Sequence, residues 1–428
     1  MRPIRVVGGR VSQLVGLAVL LIVPGALCRA ANLGSLAETG GHGEADAAAW
    51  HAALGIPKAD DALTFELAYV ADVFVNARGG ANTADAVQYR GLVDVAFTLD
   101  TEQAGLWPGG TFFANSIDNH GTGITERHVG DLQVVNNIDA PNESRAYEFY
   151  YTHAWWDGRF RIKVGKMDAN NDFAAGLYHD EFIHSSPGFS PTMPLITWPE
   201  TALGIVLYLE PFDDCYATAG IFDAEGTSSR SGFETAFRAP ADTFTIFELG
   251  WRPTLTLFGQ TGLPGQYAVG GFYHSGRWPL IFDDLDGRLS PRFATGNAGL
   301  FVTCDQFVYR ETATEDAETE QGLGVFLQFG WSPSDRNEIS QHYGAGFQYY
   351  GLIPTRDRDV LGVGVQHISL SGAVQSLEDR FSETAIELFY KAQISEWLTA
   401  KPDLQYVINP GGAGRDALIA GVRWEFSF

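Results

Sequence analysis

The sequence predicts an all-β protein, a sixteen-stranded antiparallel transmembrane β-barrel with a long constriction loop. Three observations support this fold class. The C-terminal strand separates apolar from polar residues by parity, the chain after residue 61 divides into strand-like runs, and short and long connections alternate between them. A transmembrane barrel combines these features, because lipid covers one face of each strand and a wet lumen covers the other.

The C-terminal strand carries the clearest signal. Its even-numbered residues from position 418 onward are all apolar: Leu418, Ala420, Val422, Trp424, Phe426 and Phe428. Among its odd-numbered residues, Ile419 is the only large apolar one. A period of two places these two sets on opposite faces of a strand. The alternative is an ordinary core strand, but soluble proteins rarely leave an aromatic strand at a terminus that can fray.

The N-terminus predicts a secretory signal peptide over residues 1–30. Arg2, Arg5 and Arg10 precede an apolar run over residues 11–27, and small residues follow it. A membrane anchor is the alternative for this segment. Residues 31–61 are small and polar, with a weakly helical stretch at 45–54, and we interpret them as a periplasmic lead-in. The barrel is then expected over residues 62–428.

Charge and composition exclude several classes of protein. The formal net charge is −24, and removing residues 1–30, which hold four arginines and no acid, lowers it to −28. Nucleic-acid binding is therefore not expected. Beyond the signal peptide no apolar stretch is long enough for a transmembrane helix. Cys215 and Cys304 are the cysteines left, and the sequence leaves their pairing open.

The strands follow from runs bounded by turn residues. The sixteen predicted strands cover residues 62–79, 87–101, 110–118, 145–156, 159–167, 200–210, 214–224, 242–252, 265–275, 297–310, 321–332, 337–351, 359–371, 382–395, 398–410 and 415–428. The fifth opposes Arg159, Arg161 and Lys163 to three apolar residues, so one face needs water. A sandwich or propeller surface is the alternative, but no blade signature repeats.

The connections predict the orientation. Tight turns such as residues 156–159 contrast with long links at 119–144, 168–199 and 276–296. In an even-stranded barrel that starts in the periplasm, links after odd-numbered strands lie outside. This asymmetry is typical of outer-membrane barrels.

Residues 166–199 are predicted to form the constriction loop. The segment is too long for a plain connection. Prolines at 187, 191, 194 and 199 favour an extended path, and residues 172–185 have the composition of a short helix. We expect its acids Asp168, Asp172, Asp180 and Glu181 to face Arg161 and Lys163. Charged groups beside aromatic rings suit the hydroxyls and the C–H faces of a sugar. Alternatively these charges pair with one another and hold the loop down.

Other chemistry has little support. His179 and His184 beside Asp180 and Glu181 suggest a metal site weakly, because their spacing is not that of a helical ligand pair. No Gly-x-Ser-x-Gly elbow and no phosphate-binding glycine loop occurs. We therefore expect no cofactor, no metal and no enzymatic activity.

Six runs resemble the OprB family of carbohydrate-selective porins: GLWPGGTF at 105–112, HVGDLQ at 128–133, GKMDAN at 165–170, SSPGFSP at 185–191, GLIPTRDRDVLG at 351–362 and PDLQYVINPGG at 402–412. The resemblance spans about residues 62–428. It implies a sixteen-stranded barrel in the Gram-negative outer membrane that passes sugars by facilitated diffusion through a charged constriction.

We predict that seven residues border this constriction: Arg90, Arg127, Trp156, Arg161, Lys163, Asp168 and Glu181. Expected partners are small carbohydrates, outer-membrane lipid and lipopolysaccharide, and the assembly machinery through Phe428, with the barrel a monomer or homo-trimer. Three alternatives stay open. They are a non-selective general-diffusion or structural outer-membrane barrel, a barrel enzyme, and a secreted sugar-binding β-protein.

Overall fold

The structure, a computed structural model, describes residues 62–224, 242–281, 292–311 and 321–428. The predicted signal peptide and the lead-in lie outside the described residues and stay predictions. Seventeen strands form one antiparallel sheet. They are β1 Leu63–Arg78, β2 Val87–Asp100, β3 Gly110–Gly121, β4 Glu143–Trp155, β5 Phe160–Met167, β6 Ala202–Phe212, β7 Cys215–Asp223, β8 Thr243–Trp251, β9 Thr254–Leu257, β10 Gln260–Pro279, β11 Phe293–Arg310, β12 Gly322–Trp331, β13 Ile339–Tyr350, β14 Val360–Leu370, β15 Ser382–Ser395, β16 Leu398–Ile408 and β17 Ala417–Ser427.

The sheet closes into a barrel of sixteen strand positions. β8 and β9 share one position, because both pair with β10 and two residues, Arg252 and Pro253, separate them. Proline lacks the backbone N–H that a ladder needs, which interrupts the strand here. β1 pairs with β2 on one side and with β17 on the other, which closes the cylinder. The predicted sixteen-stranded antiparallel barrel is confirmed.

Each strand presents one apolar face to the outside. On β6, Ile205, Leu207 and Leu209 are exposed large hydrophobic residues, whereas Val206 between them is buried on the inner side. The period of two that the sequence shows is thus the inside–outside alternation of a barrel wall. In the part of the chain that the structure describes, no helix has the length and apolar composition to cross a membrane.

The C-terminal strand shows why Ile419 departs from the parity pattern. Ile419 points inward and is buried against Phe74, Ile124 and Val135, where a connecting loop covers the wall. The terminus itself is held in the sheet. The Phe428 amide donates to the Leu67 carbonyl at 2.9 Å, and the Phe428 ring stacks on Trp397 at 6.0 Å between centroids.

The two rims of the barrel differ. The rim that carries the C-terminus has tight turns at 156–159, 213–214 and 396–397. The other rim carries two long links, the first inner loop (residues 122–142) and the second inner loop (residues 168–201). Because short turns face the periplasm in outer-membrane barrels, we assign the terminal rim to the periplasm.

Short helical pieces lie in the links: a π-turn at Thr125–Val129, 3₁₀ turns at Ala169–Asn171 and Pro410–Gly412, α1 at Ser185–Gly188 and α2 at Gly372–Glu378. The predicted helix over 172–185 is wrong. Residues 172–184 follow the wall instead, because wall side chains take up their backbone N–H groups. Cys215 and Cys304 are both free thiols on separate strands.

Candidate functional site

The second inner loop is attached to the inner wall by a series of carboxylates. The backbone N–H of Asp168 donates to Glu148 of β4 at 2.8 Å, and that of Ala174 donates to Glu248 of β8 at 2.7 Å. The N–H groups of Leu177 and Tyr178 share Asp305 of β11, and those of Ile183 and His184 share Glu387 of β15. The loop therefore runs around the wall from β5 to β15.

The first inner loop covers the remaining wall in the same way. Leu132 and Gln133 donate their backbone N–H groups to Glu383 of β15 at 2.8 and 2.9 Å. Further along, Asn136 contacts Asp72 of β1 and Arg423 of β17. Hydrogen bonds between amides and carboxylates are stronger than neutral ones, so these contacts fix a segment that otherwise has little regular structure.

The two loops are joined to each other where they meet. The Asn137 amide donates to the Ile183 carbonyl at 2.9 Å, and the Ser185 amide donates to the Val134 carbonyl at 3.0 Å. The Ser185 hydroxyl also donates to the Gln133 carbonyl at 2.6 Å. We call the joined pair of loops the collar. The collar covers the inner wall along most of its circumference, and it consists of two loops where the sequence predicts one folded-in loop.

On the β5 side, the collar meets a paired lysine. Nζ of Lys163 lies 3.0 Å from Asp172 of the second inner loop and 4.0 Å from the centre of the Tyr150 ring. The Tyr208 hydroxyl also donates to Asp172. The predicted approach of Asp172 to Lys163 is confirmed.

On the far side, Glu181 binds a different wall from the predicted one. Its carboxylate lies 2.6 Å from Lys391 of β15 and 2.8 Å from Lys401 of β16, and Glu425 of β17 completes the group at 3.4 Å from Lys401. β5 and β15 are separated by nine positions in one direction and seven in the other in a barrel of sixteen, so this group lies across the lumen from Lys163. The expectation that Glu181 faces Arg161 and Lys163 is wrong, because the loop follows the wall instead of folding back.

The other predicted site residues are spread over the barrel. Arg90 is buried and binds Asp139 of the first inner loop at 2.7 Å. Asp168 is fully buried and accepts hydrogen bonds from Tyr147, Thr197 and the Asn170 amide. Arg127 is exposed in the π-turn at the outer rim. Trp156 is 72% exposed in the β4–β5 turn at the periplasmic rim. Arg161 lies near that rim, facing the lumen.

Burial and charge shift the pKa of three collar groups. Burial raises the pKa of Glu181, but Lys391 and Lys401 outweigh it and hold that pKa well below the usual range. Burial raises the pKa of Asp168 to about 6, although hydrogen bonds from Tyr147 and Asn170 oppose the shift. Burial, helped by the nearby His342, lowers the pKa of His184 to about 3. His184 is therefore neutral in the closed collar at neutral pH.

Several wall residues that contact the collar were not among the predicted site residues: Lys391, Lys401, Glu425, Glu383 and Glu387. The parity of their strands puts them on the inner face, and that signal could have found them. What the sequence does not show is which loop they meet. Among the residues that the structure describes, no group of three histidine, cysteine, aspartate or glutamate side chains is arranged to hold a metal ion.

Comparisons with known proteins agree with this architecture. The family model "Carbohydrate-selective porin, OprB family" matches residues 84–428. Porin B of Pseudomonas aeruginosa is 23% identical over 407 residues, which cover 85% of this chain and 87% of that protein. The putative porin QuiX of Acinetobacter baylyi is 21% identical over 401 residues, covering 85% and 89% of the two chains.

Among solved structures, the high-pH structure of Pseudomonas putida OprB matches with a TM-score of 0.76 at 21% identity, covering 86% of this chain and 95% of that one. The low-pH structure of the same protein matches with a TM-score of 0.53. These likenesses support the barrel fold. Because the family model matches well over half of the sequence, this chain belongs to the OprB family of carbohydrate-selective porins of the outer membrane.

Proposed function

We propose that small carbohydrates, from monosaccharides to short oligosaccharides, diffuse passively through the opening that the collar leaves, and that the charged groups on its two sides give selectivity for hydroxyl-rich solutes. One observation carries the proposal. Ionic groups lie on opposite walls beside the collar: Glu181 and Lys391 keep 21% and 19% of their side-chain surface exposed, whereas Lys163 and Asp172 across the lumen keep only 6% and 9%. Such groups offer directional hydrogen bonds to hydroxyls, and the proposed contacts are weak enough to release the solute.

The predicted site residues divide into two roles in this proposal. Arg161 and Glu181 border the path, which is supported by their partial exposure beside the collar. Lys163 is nearly buried against Asp172 and fastens the second inner loop to the wall. Arg90 and Asp168 fasten the loops, which is supported by their burial and their hydrogen bonds. Arg127 and Trp156 lie at the two rims, where a solute would enter and leave.

Liposome swelling tests the proposal. Vesicles that contain the purified porin should swell faster in monosaccharides than in neutral solutes of matched size that carry few hydroxyls. Replacing both members of the exposed pair, in Glu181→Gln with Lys391→Gln, should reduce that ratio. Equal swelling rates for sugars and matched non-sugars would reject selectivity and favour the alternative, a non-selective general-diffusion or structural barrel. In that case the charges serve to hold the loops.

We also propose that the barrel inserts with the help of the outer-membrane assembly machinery, which reads the C-terminal Phe428, and that it functions as a monomer or a homo-trimer surrounded by lipid and lipopolysaccharide. Deleting Phe428 should lower the amount of folded barrel in the outer membrane without changing its conductance once refolded in detergent. Normal insertion of the shortened chain would reject the role of Phe428. Native mass spectrometry of the detergent complex decides between one and three copies.

A further inference from the structure

The periplasmic mouth of the barrel carries two guanidinium groups that are stacked on tyrosines. Cζ of Arg161 on β5 lies 4.7 Å from the centre of the Tyr208 ring, and Cζ of Arg252, just after β8, lies 4.2 Å from the centre of the Tyr216 ring. Both side chains face the lumen and keep 40% and 48% of their surface exposed. Stacking holds each planar group in one orientation and leaves terminal N–H donors for a solute, while Nε of Arg252 donates to Gln266 at 3.3 Å. We call these residues, with Glu210, the mouth cluster.

The tyrosines under the guanidiniums are fixed by the collar. The Tyr208 hydroxyl donates to Asp172, and the Tyr216 hydroxyl donates to Glu248 at 2.7 Å. Gly250 leaves the room that Tyr216 occupies, since a Cβ at position 250 would lie 2.0 Å from its ring. The mouth cluster is therefore built on the same carboxylates that fasten the second inner loop.

The charge of the mouth cluster is incompletely balanced. Arg161 and Arg252 share the carboxylate of Glu210, at 3.4 and 3.7 Å. These distances are longer than the 3.0 Å of Lys163–Asp172 and the 2.8 Å of Arg423–Asp72. Nε of Arg161 is buried and has no hydrogen-bond partner. Within the mouth cluster, two oriented cations thus share one loosely held anion, and the nearby carboxylates of Asp172 and Glu248 are taken up by the tyrosine hydroxyls.

We propose that the mouth cluster is a binding station for acidic sugars, that is, sugars that carry a carboxylate beside their hydroxyls. This inference rests on the proposed function and adds a class of solute to it. A planar carboxylate matches the fork of a guanidinium, and the second guanidinium donates to a neighbouring hydroxyl. Glu210 accepts a hydrogen bond from another hydroxyl. A neutral sugar offers only the hydroxyl contacts, so it binds more weakly.

Glucuronate and glucose form a suitable pair of probes, because they differ in one group, a carboxylate in place of a hydroxymethyl. The full-length mature porin is inserted in planar bilayers, and each probe is added on the periplasmic side. The apparent Kd is read from the reduction in current. We expect glucuronate to bind more tightly than glucose. Arg161→Gln and Arg252→Gln should each raise the Kd for glucuronate roughly three- to tenfold and that for glucose less.

Two further variants separate binding from damage to the fold. Glu210→Gln removes the competing carboxylate, so it should lower the Kd for glucuronate, the opposite direction from Arg252→Gln. Arg159→Gln is the matched control, because Arg159 directly precedes the same strand but pairs with Asp213 in the exposed turn at 2.6 Å. It should leave both values unchanged.

The inference is overturned if glucuronate binds no more tightly than glucose, or if Glu210→Gln and Arg252→Gln shift the glucuronate Kd in the same direction. Its failure can be told apart from failure of the proposed function. If glucose still enters liposomes but the two arginine variants do not change glucuronate binding, only the proposed role of the mouth cluster is rejected. If sugars cause no selective swelling and neither probe reduces the current, both the proposed function and the role of the mouth cluster are rejected.

Discussion

Asp72 and Arg423 form a buried ion pair between the two strands that close the barrel. The guanidinium lies 2.8 Å from the carboxylate, and both side chains are almost fully buried beneath the first inner loop. Asn136 and Asn137 of that loop complete the shell around Arg423. At the scale of a residue, the stability of such a buried guanidinium depends on its carboxylate partner, because water cannot take the place of that partner.

Asp72→Asn should therefore destabilise the barrel by about 3 kcal/mol, since it leaves Arg423 buried without a counter-charge. Urea titration of the detergent-solubilised barrel, followed by tryptophan fluorescence, measures the change. Asp213→Asn is the control, because its pair with Arg159 is exposed and surface pairs contribute little. Equal losses in the two variants would contradict the assignment.

His184 makes the collar sensitive to acid. Its pKa is about 3 in the closed collar against an ordinary 6.5, so the open state binds more protons between these values. The stabilisation of the collar on the wall by neutral His184 is therefore complete above about pH 6.5 and is lost as the pH falls toward 3. Asp168 acts in the opposite direction below about pH 6, because its pKa is raised.

The comparison of the wild type with His184→Asn isolates the histidine, since Asp168 is common to both. Asparagine keeps an acceptor for the Ser186 amide that His184 caps. Hydrogen exchange of residues 182–186, corrected for intrinsic rates, should accelerate between about pH 7 and about pH 4 in the wild type and less in the variant. The same acceleration in both proteins would show that His184 is not the sensitive group.

At the scale of the element, the inner loops owe their shape to the wall more than to their own sequences. Residues 172–184 have no helix, yet three wall carboxylates determine where their backbone runs. The backbone N–H groups need acceptors inside a narrow lumen, and carboxylates from alternating strand positions supply them. A loop placed in this way moves when its acceptors change.

Glu248→Gln tests this dependence. Glu248 accepts from the Ala174 amide with one oxygen and from the Tyr216 hydroxyl with the other, and glutamine keeps one oxygen acceptor. Losing one charge-assisted bond should accelerate hydrogen exchange at Ala174 about tenfold. Adding Tyr216→Phe removes the competing donor and should restore part of the protection. If the double variant exchanges faster than Glu248→Gln, the carboxylate is not what holds the loop.

At the scale of the whole molecule, charge and closure act together. The whole sequence has a formal net charge of −24, and water-filled passages with low-dielectric walls concentrate the field of the charges that line them. The mouth cluster is a local exception near the periplasmic rim. Small inorganic ions should respond to the overall charge.

We therefore expect the open channel to prefer potassium over chloride, and the preference to weaken as salt screens the wall. Reversal potentials in a KCl gradient, measured at low and at high mean concentration, test this. A preference for chloride at low salt would contradict this prediction. It would indicate that the arginines of the mouth cluster, and not the net charge of the chain, determine the selectivity for small ions.

Much of this fold could be predicted from local pattern. The sixteen strand positions, the inward face that carries Arg161 and Lys163, and the contact of Asp172 with Lys163 all follow from period-two alternation and loop length. Of the first inner loop, only Arg127 was predicted to lie at the constriction, and the contacts of the loop with the wall could not be predicted. Its segment reads as an ordinary polar link, and its acceptor Glu383 is 251 positions from Leu132 along the chain.

The sequence by itself determined which side of each strand meets lipid and how many strands there are, because alternation is a property of neighbouring residues. Only the tertiary structure decided which loop meets which wall. Closing the cylinder brings β15, β16 and β17 beside β1 and across from β5, and that geometry assigns Glu181 to Lys391 and Lys401. A contact between distant segments depends on the register of the whole sheet, and no single segment encodes that register.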